Sequence, residues 1–303
     1  MLDSTFSEDV TPAPADGGGD DHPAAHGGGG DDTPDWPPWT APAALVMALA
    51  VGTIAALLVV LIVAAALHIT IPSNASFPGG LNVLATVVQD ACFVLVAIWF
   101  ARIGGRRITP GQFGLRTTRV LRAAWMVVFV YVTFLVFTDI WSQIVNTPQE
   151  TLLKSLGANN STALLVASAI LTCVVAPCAE EFLFRGYIFT ALRNWRGPWV
   201  SAVLTGLAFG AVHAESAPIA DLVPLALFGF GLCWLRWRTD SLLPGIAAHS
   251  INNSIAFAAL EGWAAGDYVL LLLAALATLA VIGTGMRATG LIVGRPRPAA
   301  LAG

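Results

Sequence analysis

The chain is 303 residues long, 56% hydrophobic and only 11% charged, with a formal net charge of −4. That balance excludes an ordinary soluble domain, and no part of it resembles a basic nucleic-acid surface. The charge is unevenly placed: residues 1–40 carry nine acidic side chains and no Lys or Arg, so the remainder is net basic.

In chain order, residues 1–40 are rich in Gly, Pro, Asp and Ala, as in Gly17-Gly18-Gly19-Asp20-Asp21. Such a stretch buries too little apolar surface to offset its ordering entropy, which predicts a disordered acidic tail. Met1-Leu2-Asp3 lacks the basic start and apolar core of a cleaved signal peptide. His22 and His26, set among aspartates, read as part of the solvated tail rather than as a metal site. Apolar runs then follow at about 43–71, 81–101, 121–141, 162–192, 199–215, 217–235, 241–260 and 267–286. The fold class expected is all-α, a polytopic transmembrane helix bundle of about eight spans. Residues 41–158 form its N-terminal helices, 159–287 the bundle that carries the polar motifs, and 288–303 a short tail. The fifth and sixth runs are short and separated by 215–218, which leaves room for a kinked hairpin.

Arg102, Arg106, Arg107, Arg116, Arg119 and Arg122 follow the second run, and Arg193 and Arg196 the fourth. Arg236 and Arg238 follow the sixth, and Arg287, Arg295 and Arg297 the eighth. If the runs alternate in direction these arginines share one side, with Lys154 alone opposite, so both termini are expected in the cytoplasm. Fourteen Arg against one Lys, with abundant Ala, points to a high-GC bacterial genome and an inner-membrane location. Cys92, Cys173, Cys178 and Cys233 lie in apolar segments without CxxC spacing and read as small buried hydrophobes.

Against this background Glu180, Glu181, Arg185, His213, His249 and Asn253 stand out, because a charged group at bilayer depth is expensive and normally marks a partnered site. At 1.5 Å per residue from the arginine-rich ends, Glu180 lies roughly 20 Å deep, His213 roughly 21 Å, His249 roughly 12 Å and Asn253 roughly 18 Å. Glu181 and Arg185 are spaced i,i+4, as are Phe209 with His213 and His249 with Asn253, so each pair shares a helix face. Glu180 is turned about 100° from Glu181. Glu181 is therefore assigned to a structural pair with Arg185, and Glu180 to the site. A desolvated Glu beside a His can hold a water and remove its proton, while a second His and an amide can stabilise an oxyanion. Two His and a Glu also make a catalytic zinc set, with Glu180, His213 and His249 as the candidate ligands. Cys178 has no activating neighbour in sequence. Asp90, Asp139, His68 and Glu261 stand alone or near run ends and are expected to serve packing or interfacial roles.

The ordered motifs Glu180-Glu181 with Arg185, Phe209 with His213, and His249 with Asn253 resemble the EExxxR, FxxxH and HxxxN pattern of the CPBP family. That family joins CAAX prenyl endopeptidases with bacteriocin-processing and immunity-type membrane proteins. Pro177 and Gly186 fit its usual context, and the resemblance covers about residues 160–260. It implies an intramembrane endopeptidase in which Glu180 and His213 activate water and His249 and Asn253 stabilise the oxyanion, either with zinc or by a metal-free, glutamate-dependent route. The implied partners are membrane lipids and a protein or peptide substrate, with no nucleic acid. A bacterial source makes a prenylated substrate improbable. The rival readings are a non-catalytic immunity or scaffold protein and a transporter with a proton relay; the transporter predicts internal repeats, and inspection finds none.

Overall fold

The computed structural model describes residues 34–71, 77–145 and 161–294. Residues 1–33 of the expected tail lie outside these, as do Lys154, Arg295 and Arg297. Among the described residues the chain is helical throughout, its extended pairing limited to an isolated bridge of Arg116 with Val293.

The helices are α1 (Thr40–Ala66), α2 (Gly79–Ala101), α3 (Val120–Ile144), α4 (Thr162–Val212), α5 (Leu222–Thr239), α6 (Leu243–Leu260) and α7 (Ala265–Ala288). All but α6 are long and apolar enough to cross a membrane. The eight expected runs survive as helical segments because α4 supplies two of them. At 51 residues α4 is about 77 Å long, over twice a hydrocarbon core of about 30 Å, so it has to bend. It does so at Gly197, whose φ of 74° only glycine adopts freely, and Pro198 opens the second arm where a helix start tolerates it. The break expected between the fourth and fifth runs is thus found at Gly197, one residue past Arg196.

Helix α1 shows how the bundle is patterned. Its buried positions Ala41, Ala44, Ala48, Gly52, Ala56, Val60 and Ala64 recur at i,i+3 and i,i+4, while Val46, Ile54, Leu58 and Ile62 point outward, each more than half exposed. Small residues inside and large apolar residues outside suit a lipid-facing helix, since lipid offers no hydrophobic penalty and close approach supplies the packing. Residues 34–39 precede α1 and pack on the bundle: the buried Trp36 ring lies 5.0 Å from Phe113 and 4.8 Å from Tyr187. Tyr187 donates its hydroxyl to Thr40 Oγ1 at 2.7 Å.

The second arm of α4 and helix α5 form a hairpin, joined by short 3₁₀ turns at His213–Glu215 and Ile219–Asp221. Gly206 and Gly210 on one helix meet Ala226 and Gly229 on the other, so closely that a Cβ on Gly210 would lie 2.5 Å from the Leu222 carbonyl oxygen. Gly210→Ala is expected to destabilise the protein by about 1–3 kcal/mol, the usual cost of overpacking. Heat-induced loss of the detergent-solubilised species measures this, and a variant as stable as the parent would contradict the contact.

The far end of α5 is tied down by charge. Arg236 is buried and pairs with Asp240 at 2.8 Å, and Arg116 reaches the same carboxylate at 3.3 Å. Ser241 donates to the Arg116 carbonyl at 2.6 Å, and the Leu242 amide to Gly114, which has a φ of 84° and leaves room for the Arg236 guanidinium.

Candidate active site

The first arm of α4 carries Glu180 and Glu181 on a short α-helical stretch, Ala176–Glu181, between two wider π-helical turns at Leu171–Val175 and Phe182–Ile188. Pro177 accounts for the first of these. It has no N–H to give to Cys173 four residues back, and its ring forces that carbonyl aside. Helix α6 answers with side chains: Ser250 donates to the Cys173 carbonyl at 2.6 Å and Asn253 Nδ2 to the Thr172 carbonyl at 2.9 Å. In the second widened turn Thr190 Oγ1 donates to the Arg185 carbonyl at 3.2 Å. Such turns recur at functional sites, where they re-aim side chains.

Glu181 and Arg185 are both fully buried, and Arg185 Nη1 lies 2.9 Å from Glu181 Oε1. Arg185 also donates from Nη2 to the Gly229 carbonyl at 3.0 Å and lies over the Phe209 ring at 4.3 Å. The same Glu181 oxygen receives His249 Nδ1 from α6 at 3.2 Å. Gly245, one turn before His249, leaves the space this requires: a Cβ there would sit 2.9 Å from Glu181 Oε2. Glu181 therefore holds both the arginine and a histidine. Because Nδ1 is committed to a carboxylate it carries a proton, and Nε2 is turned toward Glu180 Oε2 at 3.9 Å.

Glu180 is partly buried, with Oε2 lacking a hydrogen-bond partner among the described residues. His213 stands at the end of the second arm with Nδ1 2.7 Å from the Phe209 carbonyl, so Nδ1 is the donor and Nε2 is free to accept a proton. Its ring is 4.8 Å from that of Phe209, which in turn meets His249 edge-on at 5.6 Å. Asn253 spends one amide hydrogen on the Thr172 carbonyl and retains the other. Glu180, Glu181, Arg185 and His249 are thus brought into direct register, His213 joins through the shared Phe209 ring, and Asn253 lies one turn along α6 from His249. Among the described residues no group of three or more His, Cys, Asp or Glu is gathered closely enough to mark a metal site by itself. The four cysteines are free, and Cys173 and Cys233 are buried.

Asp90, set aside in the sequence as an isolated group, lies in the middle of α2, is 4% exposed and has an unpartnered Oδ2. Only its place in a long apolar helix, rather than any motif, signals it in the sequence.

The segment carrying all three motifs, residues 162–255, matches the family model described as type II CAAX prenyl endopeptidase Rce1-like. The resemblance drawn from the motifs therefore holds over the segment that bears them. Among curated proteins, the chain is 30% identical over 105 residues to the "Uncharacterized 24.3 kDa protein" of Escherichia coli, covering 34% of this chain and 48% of that one. It is also 31% identical over 85 residues to the "Putative membrane peptidase YdiL" of Bacillus subtilis, covering 28% of this chain and 34% of that one. The chain thus spans about half or less of the length of these relatives. No solved structure matches it.

Proposed function

We propose that the chain is an intramembrane endopeptidase acting on membrane-associated protein or peptide substrates. The observation that carries this reading is the double use of Glu181, which anchors Arg185 and His249 together and turns His249 Nε2 toward Glu180 inside the bundle. In this reading Glu180, with His213, takes a proton from water, and the resulting hydroxide adds to the peptide carbonyl carbon. The oxyanion accepts hydrogen bonds from His249 Nε2–H and the spare Asn253 N–H. Collapse of the adduct breaks the C–N bond, and the leaving amine recovers the proton from Glu180. Both termini are placed in the cytoplasm by the arginine distribution.

The test compares terminal peptides from membranes and culture fluid of cells carrying the parent chain or Glu180→Gln at matched abundance. New termini found only with the parent establish proteolysis and identify the substrate. Identical termini, with the phenotype intact in the variant, favour a non-catalytic immunity or scaffold role.

A further inference from the structure

Helix α3 lies outside the segment that matches the family model, yet it grips the connection that begins at His213. Residues 213–221 join the two helices of the hairpin. The His213 carbonyl accepts the amides of Ser216 at 3.0 Å and Ala217 at 2.8 Å, and the Pro218 carbonyl accepts that of Asp221 at 2.8 Å. The Ser216 hydroxyl adds a further bond to the His213 carbonyl at 3.3 Å. Asp221 (φ −84°, ψ −12°) and Leu222 (φ −63°, ψ −30°) are right-handed helical, so the Ala220 carbonyl points along α5 toward residue 224. That residue is Pro224, which has no N–H to give. Trp141 supplies the donor instead: its indole Nε1–H donates to the Ala220 carbonyl at 2.7 Å.

Trp141 is itself held in place. Its ring stacks on Phe137 at 6.0 Å, and Phe134 of the same helix lies 4.8 Å from Phe228 of α5. Gly231 lets the two helices approach, since a Cβ there would sit 2.6 Å from Val130 Cγ1. Helix α3 is thus fixed against α5, and the indole at its far end is a rigid post for the connection.

We propose that Trp141 is a positioning residue for His213, clamping residues 213–221 so that the His213 ring keeps its bond to the Phe209 carbonyl and presents Nε2 to the site. The inference rests on the proposed role of His213 beside Glu180. His213 is the C-cap residue of α4, where helices fray, so its backbone follows the course of the connection that leaves it. Trp141 acts through that connection and touches no reacting group.

The test uses the full chain in lipid. Trp141→Phe keeps an apolar ring and removes the N–H. Amide hydrogen exchange across residues 213–221 should rise about fivefold or more in this variant, with α1 and α2 unchanged. In cleavage assays kcat should fall about tenfold at unchanged KM. Adding Pro224→Ala returns an amide to the Ala220 carbonyl from within α5, so the double variant should recover both protection and kcat. A purely space-filling role for the indole would not be rescued in that way. Unchanged exchange or full kcat in the Phe variant, or no recovery in the double variant, would each overturn the assignment. If exchange rises and is reversed while the parent cleaves no substrate, the clamp stands and the protease reading falls.

Discussion

Glu180→Gln should retain normal abundance and lose about 10²–10⁴-fold in kcat, the range that a general base contributes. The side chain is nearly isosteric, and Glu180 makes no hydrogen bond or close ion pair that packing would miss, its nearest charged neighbour being His249 Nε2 at 3.9 Å. The amide cannot accept the water's proton. Steady-state cleavage by purified protein in lipid, with abundance measured in the same membranes, checks both halves. Wild-type kcat would remove Glu180 from the mechanism, and a fall in abundance would mean that it also supports the fold.

Glu181→Ala or Arg185→Ala should instead lower abundance, because each leaves a fully buried charge without its partner, at a cost of about 3–5 kcal/mol. Arg185 would keep the Gly229 carbonyl and the faces of Phe209 and Phe184 but no carboxylate, and Glu181 would keep His249. Replacing both together, Glu181→Leu with Arg185→Met, should restore much of the abundance, since an apolar pair of similar volume often replaces a buried ion pair without loss. Cleavage should stay absent in the double variant, because His249 Nδ1 then has no acceptor to set its orientation. Normal abundance in both single variants would contradict the pairing, and an active double variant would remove Glu181 from the orientation of His249.

These outcomes separate two carboxylates that are adjacent in sequence. Their 100° offset along a helix foretold that they would face differently, and the Glu181–Arg185 spacing foretold one partner. The spacing did not foretell that Glu181 also receives a histidine 68 residues away, nor that Gly245 leaves the room for it. Pro177 was visible as motif context, whereas its effect on the Thr172 and Cys173 carbonyls required knowing that Asn253 and Ser250 lie opposite.

What the chain's sequence by itself determined is whatever depends on neighbours along the chain. Hydropathy over about twenty residues marks helices that can cross a bilayer, because a lipid-exposed backbone must satisfy its own hydrogen bonds. The i,i+4 spacing places Glu181 with Arg185 and His249 with Asn253, because the helical repeat is local. The tertiary structure alone decided that His249 lies between Glu180 and Glu181, and that Asp90 is buried inside the bundle. Those outcomes depend on which helix faces pack together, set by small residues such as Gly206, Gly210 and the alanine stripe of α1. Close approach of that kind is a property of two surfaces, and a single apolar helix read alone does not specify its partner.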